Sequence, residues 1–523
     1  MRGKIEVLLM MLVSLSCAKE EARPQREGHY DYGKDIPHEM IVLGERLENP
    51  YKTENMTKAL ESLYPTKAGR VELETTDLYV RFLPADEHEY DLLVNLGLNL
   101  LDHPLDHEIL VEGDWYHDPS VPEGNATWQY AVVPKDFVFP PVKYEIIDEC
   151  YISDNATTTR ADGIDWEEVE LEAFRITGNG DMIGQESTKA SKSRPAGRIT
   201  IVDADANGGK PVGVSGVRVS CNTFVKFDHC HTDRDGYYSM SKTFSANLRY
   251  RLVFENSKGF SIGVNLVIVP ASVSTLGKAA PSGVSMTVTR DSEDKLFRRC
   301  VVNNAAYDYY SRCCPEDLGI AAPPSDLRIW LLNGMESSSA VMLHHGALLK
   351  NDLVESFLGK YSLLVQFLAP DVTIGLKGRE DYAELYNAVN HELAHASHFM
   401  RVGRDFWDKY IKYIIESFIM TGGTDYGDGM ADGAGYCEVG EMWAYFLESV
   451  MFQDRYGGGI PSYGSSFWFS PQIFRYIYQR GVSCSDIYSV LTPSVVSKEL
   501  CREALMKALP AKRTIIEQAF SRY

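Results

Sequence analysis

Residues 387–403 read NAVNHELAHASHFMRVG, and no other stretch restricts this 523-residue chain as sharply. Ala383, Leu385, Ala388, Leu393, Ala394 and Ala396 favour a helix across 382–402, and Gly403 can end it. On that helix His391 and His395 stand one turn apart on a single face. Two imidazoles at that spacing can each offer a nitrogen to one ion. Zinc, with nitrogen ligands at about 2.0–2.1 Å, fits such a pair, and small Ala394 and Ala396 lie close to the metal side. Glu392 projects beside them, placed to reach a water in an open fourth position. The ion would lower that water's pKa towards about 7. Glu392 would take the proton and later pass it to a leaving amine. The spacing predicts Zn2+ held by His391 and His395, Glu392 as the catalytic base, and a third ligand from elsewhere.

The H-E-x-x-H pattern of 391–395 resembles that of the zincin metallopeptidases. The resemblance implies hydrolysis of peptide bonds. In the metzincin pattern a glycine stands seven residues after the first histidine and the last ligand ten after. Here those positions hold His398 and Arg401, which sets that branch aside. In the gluzincin pattern a glutamate on a second, downstream helix completes the site. YCEVGEMWAYFLESVMFQDRYG, 436–457, is similar to that helix: Gly440 precedes Glu441, and Ala444 leaves room for the first helix. The resemblance implies Glu441 as third ligand, with Glu438 and Glu448 as competitors. Glu448 lies on the same face as Glu441 and can instead support a histidine. Thermolysin-like gluzincins carry an aspartate four residues after the ligand, and this chain has Tyr445 there. His398 is expected to line the cleft or to pack, since three ligands from one straight helix fit a tetrahedral ion poorly. Tyr426, Tyr436 and Tyr445 are candidates for the donor that stabilises an oxyanion opposite the metal.

The formal net charge of −21 argues against a nucleic-acid partner, which requires a concentrated basic face. The N-terminus, MRGKIEVLLMMLVSLSCAKEEARPQ, sets Arg2 and Lys4 before an apolar run from Val7 to Leu15, then Ser16 and Cys17. That is the pattern of a secretory signal, too short to span a bilayer as a mature helix. Cys17 resembles the lipobox cysteine of bacterial lipoproteins, although Ser14 departs from the leucine usual three residues before it. The run Lys19-Glu20-Glu21 resembles the surface-export signal of Bacteroidetes lipoproteins. Together these imply a membrane anchor through lipid on Cys17 and a place at the outer membrane or cell surface.

The rest of the chain divides by texture. After the signal at 1–17 and a polar tether at 18–37, residues 38–183 form an α+β region. Helices are expected at NMTKALESLY and EYDLLVNLG and a strand at DLYVRFLP. Its His103, His107 and His117 read as solvated. A linker at 184–196 precedes short β-rich runs split by Gly/Asp turns over 197–290, a β-sandwich pattern. The pieces Pro211 to Val219, Thr232 to Tyr237 and Tyr250 to Phe254 are similar to the carboxypeptidase regulatory-like, or prealbumin-like, domain. Residues 292–523 read as a mainly α, zincin-like domain with a strand at FLAPDVTIGL. The expected fold class is therefore multidomain, with α+β, β-sandwich and mainly α parts in that order.

Two loops resemble calcium sites. Asp203, Asp205, Asn207 and Gly208 begin like an EF-hand loop, but Val214 stands where a bidentate glutamate is required, so a β-turn is expected. DYGDGMADG, 425–433, reads as a flexible loop or a calcium loop. Among the cysteines, Cys221 and Cys230 are expected to pair in an exported chain. The expected function is a lipid-anchored zinc endopeptidase acting on protein or peptide. The alternative is a surface binding or scaffold lipoprotein with a non-catalytic zincin-like domain.

Overall fold

A computed structural model describes residues 40–523 except 69–70, 114, 123–124, 157–162, 184–191, 264–270, 293, 334, 346–369, 422–425 and 458–466. The signal, Cys17, the tether and most of the linker lie outside the described residues. Among the described residues, no helix is long and apolar enough to cross a membrane. The fold mixes α and β, with several sheets and a helical C-terminal region.

In the N-terminal region β1 (Val42–Arg46) belongs to a two-stranded sheet, while β2 (Asp77–Leu83) occupies the centre of a second sheet. Strand β3 (His107–Val111) is antiparallel to β1. Strands β4 (Gln129–Pro134) and β5 (Lys143–Cys150) flank β2, both antiparallel. Helices α1 (Thr53–Leu63), α2 (Glu87–Asn95) and α3 (Trp166–Ile176) pack around them. The first two helices and β2 fall where the patterning put them. Strand β2 is covered on both faces: Tyr79 joins a core with Tyr51 and Phe174, while Val80 and Phe82 join another with Leu93 and Val133. The period of two sends alternate residues to opposite sides.

His103 corrects the reading of solvated histidines. It is buried, with Nδ1 2.8 Å from Asp102 Oδ1, and the other oxygen of Asp102 accepts the Tyr116 N–H at 2.6 Å. An internal partner, absent from the local sequence pattern, makes its burial tolerable.

Beyond the linker, β6 (Ala196–Ile201), β7 (Val212–Gly213), β10 (Tyr237–Ser239) and β14 (Met286–Val288) form one sheet. Strands β8 (Val217–Thr223), β9 (Lys226–His231), β11 (Leu248–Asn256), β12 (Ser261–Ile262) and β13 (Val273–Ala279) form another. Ile199, Ile201 and Val288 of the first share a core with Val219, Leu252 and Phe254 of the second. The second sheet does not stop near residue 290. Strand β15 (Arg328–Leu332) pairs in parallel with β12, and β16 (Val372–Gly375) pairs in parallel with β15. The same apolar core runs on into the C-terminal helices.

The expected Cys221–Cys230 disulfide is not formed, and both thiols are free. The hairpin register sets Cys221 opposite Asp228 and Cys230 opposite Val219, so the cysteines are diagonal rather than facing.

Four long helices complete the region: α4 (Asp294–Arg312), α5 (Tyr382–Val402), α6 (Arg404–Thr421) and α7 (Ala434–Tyr456). Shorter helices α8 (Gln472–Tyr478), α9 (Cys484–Val490), α10 (Lys498–Ala508) and α11 (Arg513–Arg522) follow. Helix α5 is buried almost all the way round. Its first turn is braced by Glu384, whose carboxylate accepts the Asp381 N–H at 3.4 Å.

The loop after β6 meets the end of α7. Asp203 is buried, and its Oδ2 accepts Arg455 Nε at 3.0 Å, Arg455 Nη2 at 2.8 Å and the Tyr456 hydroxyl at 3.1 Å. Its Oδ1 accepts the Asp205 N–H at 3.2 Å, the turn expected in place of an EF-hand. The Arg455 guanidinium also lies over the Tyr382 and Tyr386 rings of α5, at 4.9 and 4.8 Å. Removing one member of a pair strands the other charge, at about 3–5 kcal/mol where both are buried and less here, where Arg455 is 22% exposed. Asp203→Asn should therefore lower the unfolding free energy in urea by up to about 3 kcal/mol; an unchanged midpoint would show that this tie contributes little.

Candidate metal centre

Two helices build the centre. Helix α5 carries His391, Glu392, His395 and His398, and α7 packs along it carrying Glu441 and Glu448. Small Ala394 and Ala444, both buried, stand among the large rings here. The Trp443 indole N–H donates to the Ala394 carbonyl at 3.1 Å.

His391, His395 and Glu441 converge, each offering one ligand atom with all three atoms within 4.8 Å of one another. His391 Nε2 lies 3.5 Å from Glu441 Oε2, and His395 Nε2 lies 3.4 Å from Glu441 Oε1. Both separations exceed the usual range of an N–H···O hydrogen bond. The trio is buried, and Glu441 is 0% exposed. Such a donor set can hold one divalent cation.

The partners behind these donors are also present. His391 Nδ1 is 2.7 Å from Glu448 Oε2, which orients the ring and leaves Nε2 facing Glu441. Asn387 donates to the other oxygen of Glu448. The role open to Glu448 in the sequence, support for a histidine, is the one its position allows. The Tyr410 hydroxyl donates to Glu441 Oε1 at 2.5 Å. Gly440, one residue before Glu441, packs against the Tyr410 ring, and a Cβ there would make only ordinary contact at 3.4 Å. Glu438 is engaged elsewhere, accepting the Lys498 N–H at 2.7 Å.

Glu392 differs from the other acids. It is 1% exposed, and among the described residues neither carboxylate oxygen has a hydrogen-bond partner. Burial pushes its pKa up to about 8; His391 opposes the rise and Glu441 adds to it. Glu441 goes the other way. Its burial favours the neutral acid, but the neighbouring His395 and His391 outweigh this and hold it well below the usual carboxylate range. Burial also lowers His395, which keeps its imidazole neutral and able to donate a lone pair.

His398 stays outside the converging trio. It is fully buried, its ring packs at 5.2 Å from Phe406 and 6.0 Å from Trp407, and neither ring nitrogen has a partner among the described residues. Burial lowers its pKa to about 3. Of the three tyrosines, Tyr445 sets its ring 4.5 Å from that of His391, and its hydroxyl is 3.2 Å from the Tyr426 hydroxyl. Tyr436 packs instead on Phe406 at 4.8 Å. In the 425–433 loop, Asp425 lies outside the described residues and Asp428 accepts the Met430 N–H at 3.0 Å, a local turn.

Sequence reasoning missed Tyr410. The signal available was its place in RDFWDKYIKYIIESF, where Phe406, Trp407, Tyr410, Tyr413 and Ile414 recur at helical spacing and are buried. That pattern predicts a buried tyrosine, whose hydroxyl needs a polar partner, but does not say which. No protein-family model matches the chain and no curated protein matches it, so a functional reading draws on these distances and on the burial of these side chains.

Proposed function

We propose that the chain is a zinc-dependent peptidase of gluzincin-like architecture, its C-terminal region carrying the site and a prealbumin-like sandwich supporting it. We propose further that lipid on Cys17 anchors it at the outer surface of a cell envelope. The observation that carries the catalytic reading is the convergence of His391, His395 and Glu441 beside a buried glutamate, Glu392, with unpartnered oxygens.

The donor set fits zinc. Two ligands on a tetrahedral zinc at about 2.0–2.1 Å lie about 3.3–3.4 Å apart. The imidazole–carboxylate separations of 3.5 and 3.4 Å match that edge. Two nitrogens and one carboxylate also leave a fourth position for water or substrate, as catalytic rather than structural sites do. Bound there, zinc would polarise the scissile carbonyl and acidify water.

The chain's own residues supply the rest. Glu392, free of hydrogen-bond partners, takes a proton from the attacking water on one carboxylate oxygen and delivers it to the departing amine nitrogen. Glu448 fixes the tautomer of His391 by accepting from Nδ1. Tyr410 holds the Glu441 carboxylate in place. The Tyr445 and Tyr426 hydroxyls provide donors for charge developing on the substrate oxygen. The deep burial of all four central side chains favours the alternative, a binding or scaffold protein with a non-catalytic site. The two readings part at Glu392, which metal binding alone does not require.

Glu392→Gln should retain zinc by atomic emission yet cleave a peptide library about 10²–10⁴-fold more slowly. Equal turnover by both proteins sinks the mechanism, and zinc retention with no cleavage by either supports the scaffold reading. Glu441→Gln should lose most of the metal while Glu438→Gln keeps it; the reverse would move the third ligand to Glu438.

A further inference from the structure

The outer face of the β13–β11–β8–β9 sheet carries cavities lined by none of the residues used in the chemistry above. Along β11, Tyr250, Leu252 and Phe254 enter the core, so Arg249, Arg251, Val253 and Glu255 turn to the opposite face. The N-terminal region covers that face and leaves two cavities between them, of about 220 and 570 Å³. Both are lined by Arg251, His103, Ile109 and Glu112, so Arg251 stands where they meet.

Arg251 is 5% exposed, and among the described residues its guanidinium makes no direct ion pair; Glu112 and Asp102 act on it only from farther off. One of its donors, Nη1, reaches Asn222 Oδ1 at 2.5 Å. The charged neighbours are already matched: Arg218 with Glu255 at 3.1 Å, Arg249 with Glu112, and His103 with Asp102. Burial, with Arg249 nearby, lowers the Arg251 pKa to about 10. A buried cation without a direct ion pair is costly, and a ligand anion is the natural relief.

We propose that this cleft binds the C-terminal carboxylate of a peptide ending in an aliphatic residue, with Arg251 as its bidentate partner. The planar guanidinium fork suits a carboxylate. The smaller cavity has an apolar wall that includes Val94, Leu98, Leu100 and Val253, and its volume suits a single side chain. The wider cavity on the other side of Arg251 takes the preceding peptide. Asp102, Glu112 and Glu255, which also line this cavity, weigh more against a doubly charged phosphate than against a single carboxylate. Thr275 lies opposite Arg251 on β13 and lines the same cavity, a hydroxyl within the same row.

The test is calorimetric titration of the full chain with N-acetyl-leucine, N-acetyl-leucinamide and inorganic phosphate. Saturable one-to-one binding of the acid is expected, with the amide and phosphate each at least tenfold weaker. Arg251→Gln should weaken the acid at least tenfold at unchanged melting temperature. Arg251→Lys, which keeps charge and stem but loses the fork, should also weaken it and serves if the glutamine variant does not fold. Glu392→Gln or removal of metal by a chelator should leave the affinity unchanged, which separates this site from the metal centre. No saturable binding, equal binding of amide and acid, or equal binding of phosphate overturns the proposal, as does full affinity in a folded Arg251 variant.

Discussion

The His391 imidazole lies between two carboxylates of one helix, and this constraint governs the centre. Nε2 faces Glu441 at 3.5 Å while Nδ1 meets Glu448 at 2.7 Å. Glu441 and Glu448 are seven residues apart, two turns or about 10.5 Å along the axis. A ring can serve both only if α5 and α7 pack at one register. Sliding α7 by a turn would move Glu448 out of reach of Nδ1 and Glu441 away from His395 together. The hydrogen bond from the Trp443 indole to the Ala394 carbonyl, between the same two helices, fixes the same register independently.

Other elements hold the pair of helices in that register. Helix α6 contributes Tyr410, which anchors Glu441, and Trp407, whose ring lies 5.8 Å from that of His395. Helix α4 contributes Tyr309, hydrogen-bonded to Ser397 at 2.9 Å, and Asp308, which accepts from Tyr386 at 2.6 Å. At the far end Asp203 grips Arg455 while Arg455 lies on Tyr382 and Tyr386. The strand-rich region thus touches the last turn of one site helix and, through it, the first turns of the other. Its sheet also continues through β12 into β15 and β16. The candidate centre is therefore supported by a structure that begins well before the helices that form it.

What the sequence disclosed follows from range. A helix with two histidines one turn apart is a local pattern, and α5 carries it over the span its composition predicts. The choice of Glu441 over Glu438 rested on the resemblance of 436–457 to the second gluzincin helix, with small Gly440 and Ala444 marking a face; its nearness to the histidines depends on α7 packing on α5. Tyr410 and the Asp203–Arg455 pair were not legible, because each joins residues whose proximity only the tertiary fold creates. The cysteines failed for a related reason: closeness in sequence suggested pairing, but strand register decides which side chains face. The boundary near 290 was drawn where strand texture yields to helix, yet sheet pairing crosses it. Texture reports local periodicity, and a parallel pairing such as β12 with β15 leaves no local trace.

Burial gives the centre its division of labour. Glu392 and Glu441 are both enclosed and both feel the His391 imidazole, yet their proton affinities separate. Glu441 has His391, His395 and Tyr410 around it and stays ionised, suited to hold a cation. Glu392 has no hydrogen-bond partner among the described residues and its pKa rises to about 8. Two like acids set apart by their surroundings can take different roles, one as a fixed charge and the other as a proton carrier. If Glu392 served only packing, a neutral isostere would fill the volume without burying a carboxyl that has no hydrogen-bond partner. An acid kept there, buried and without a hydrogen-bond partner, is what the proposed proton-carrying role would require.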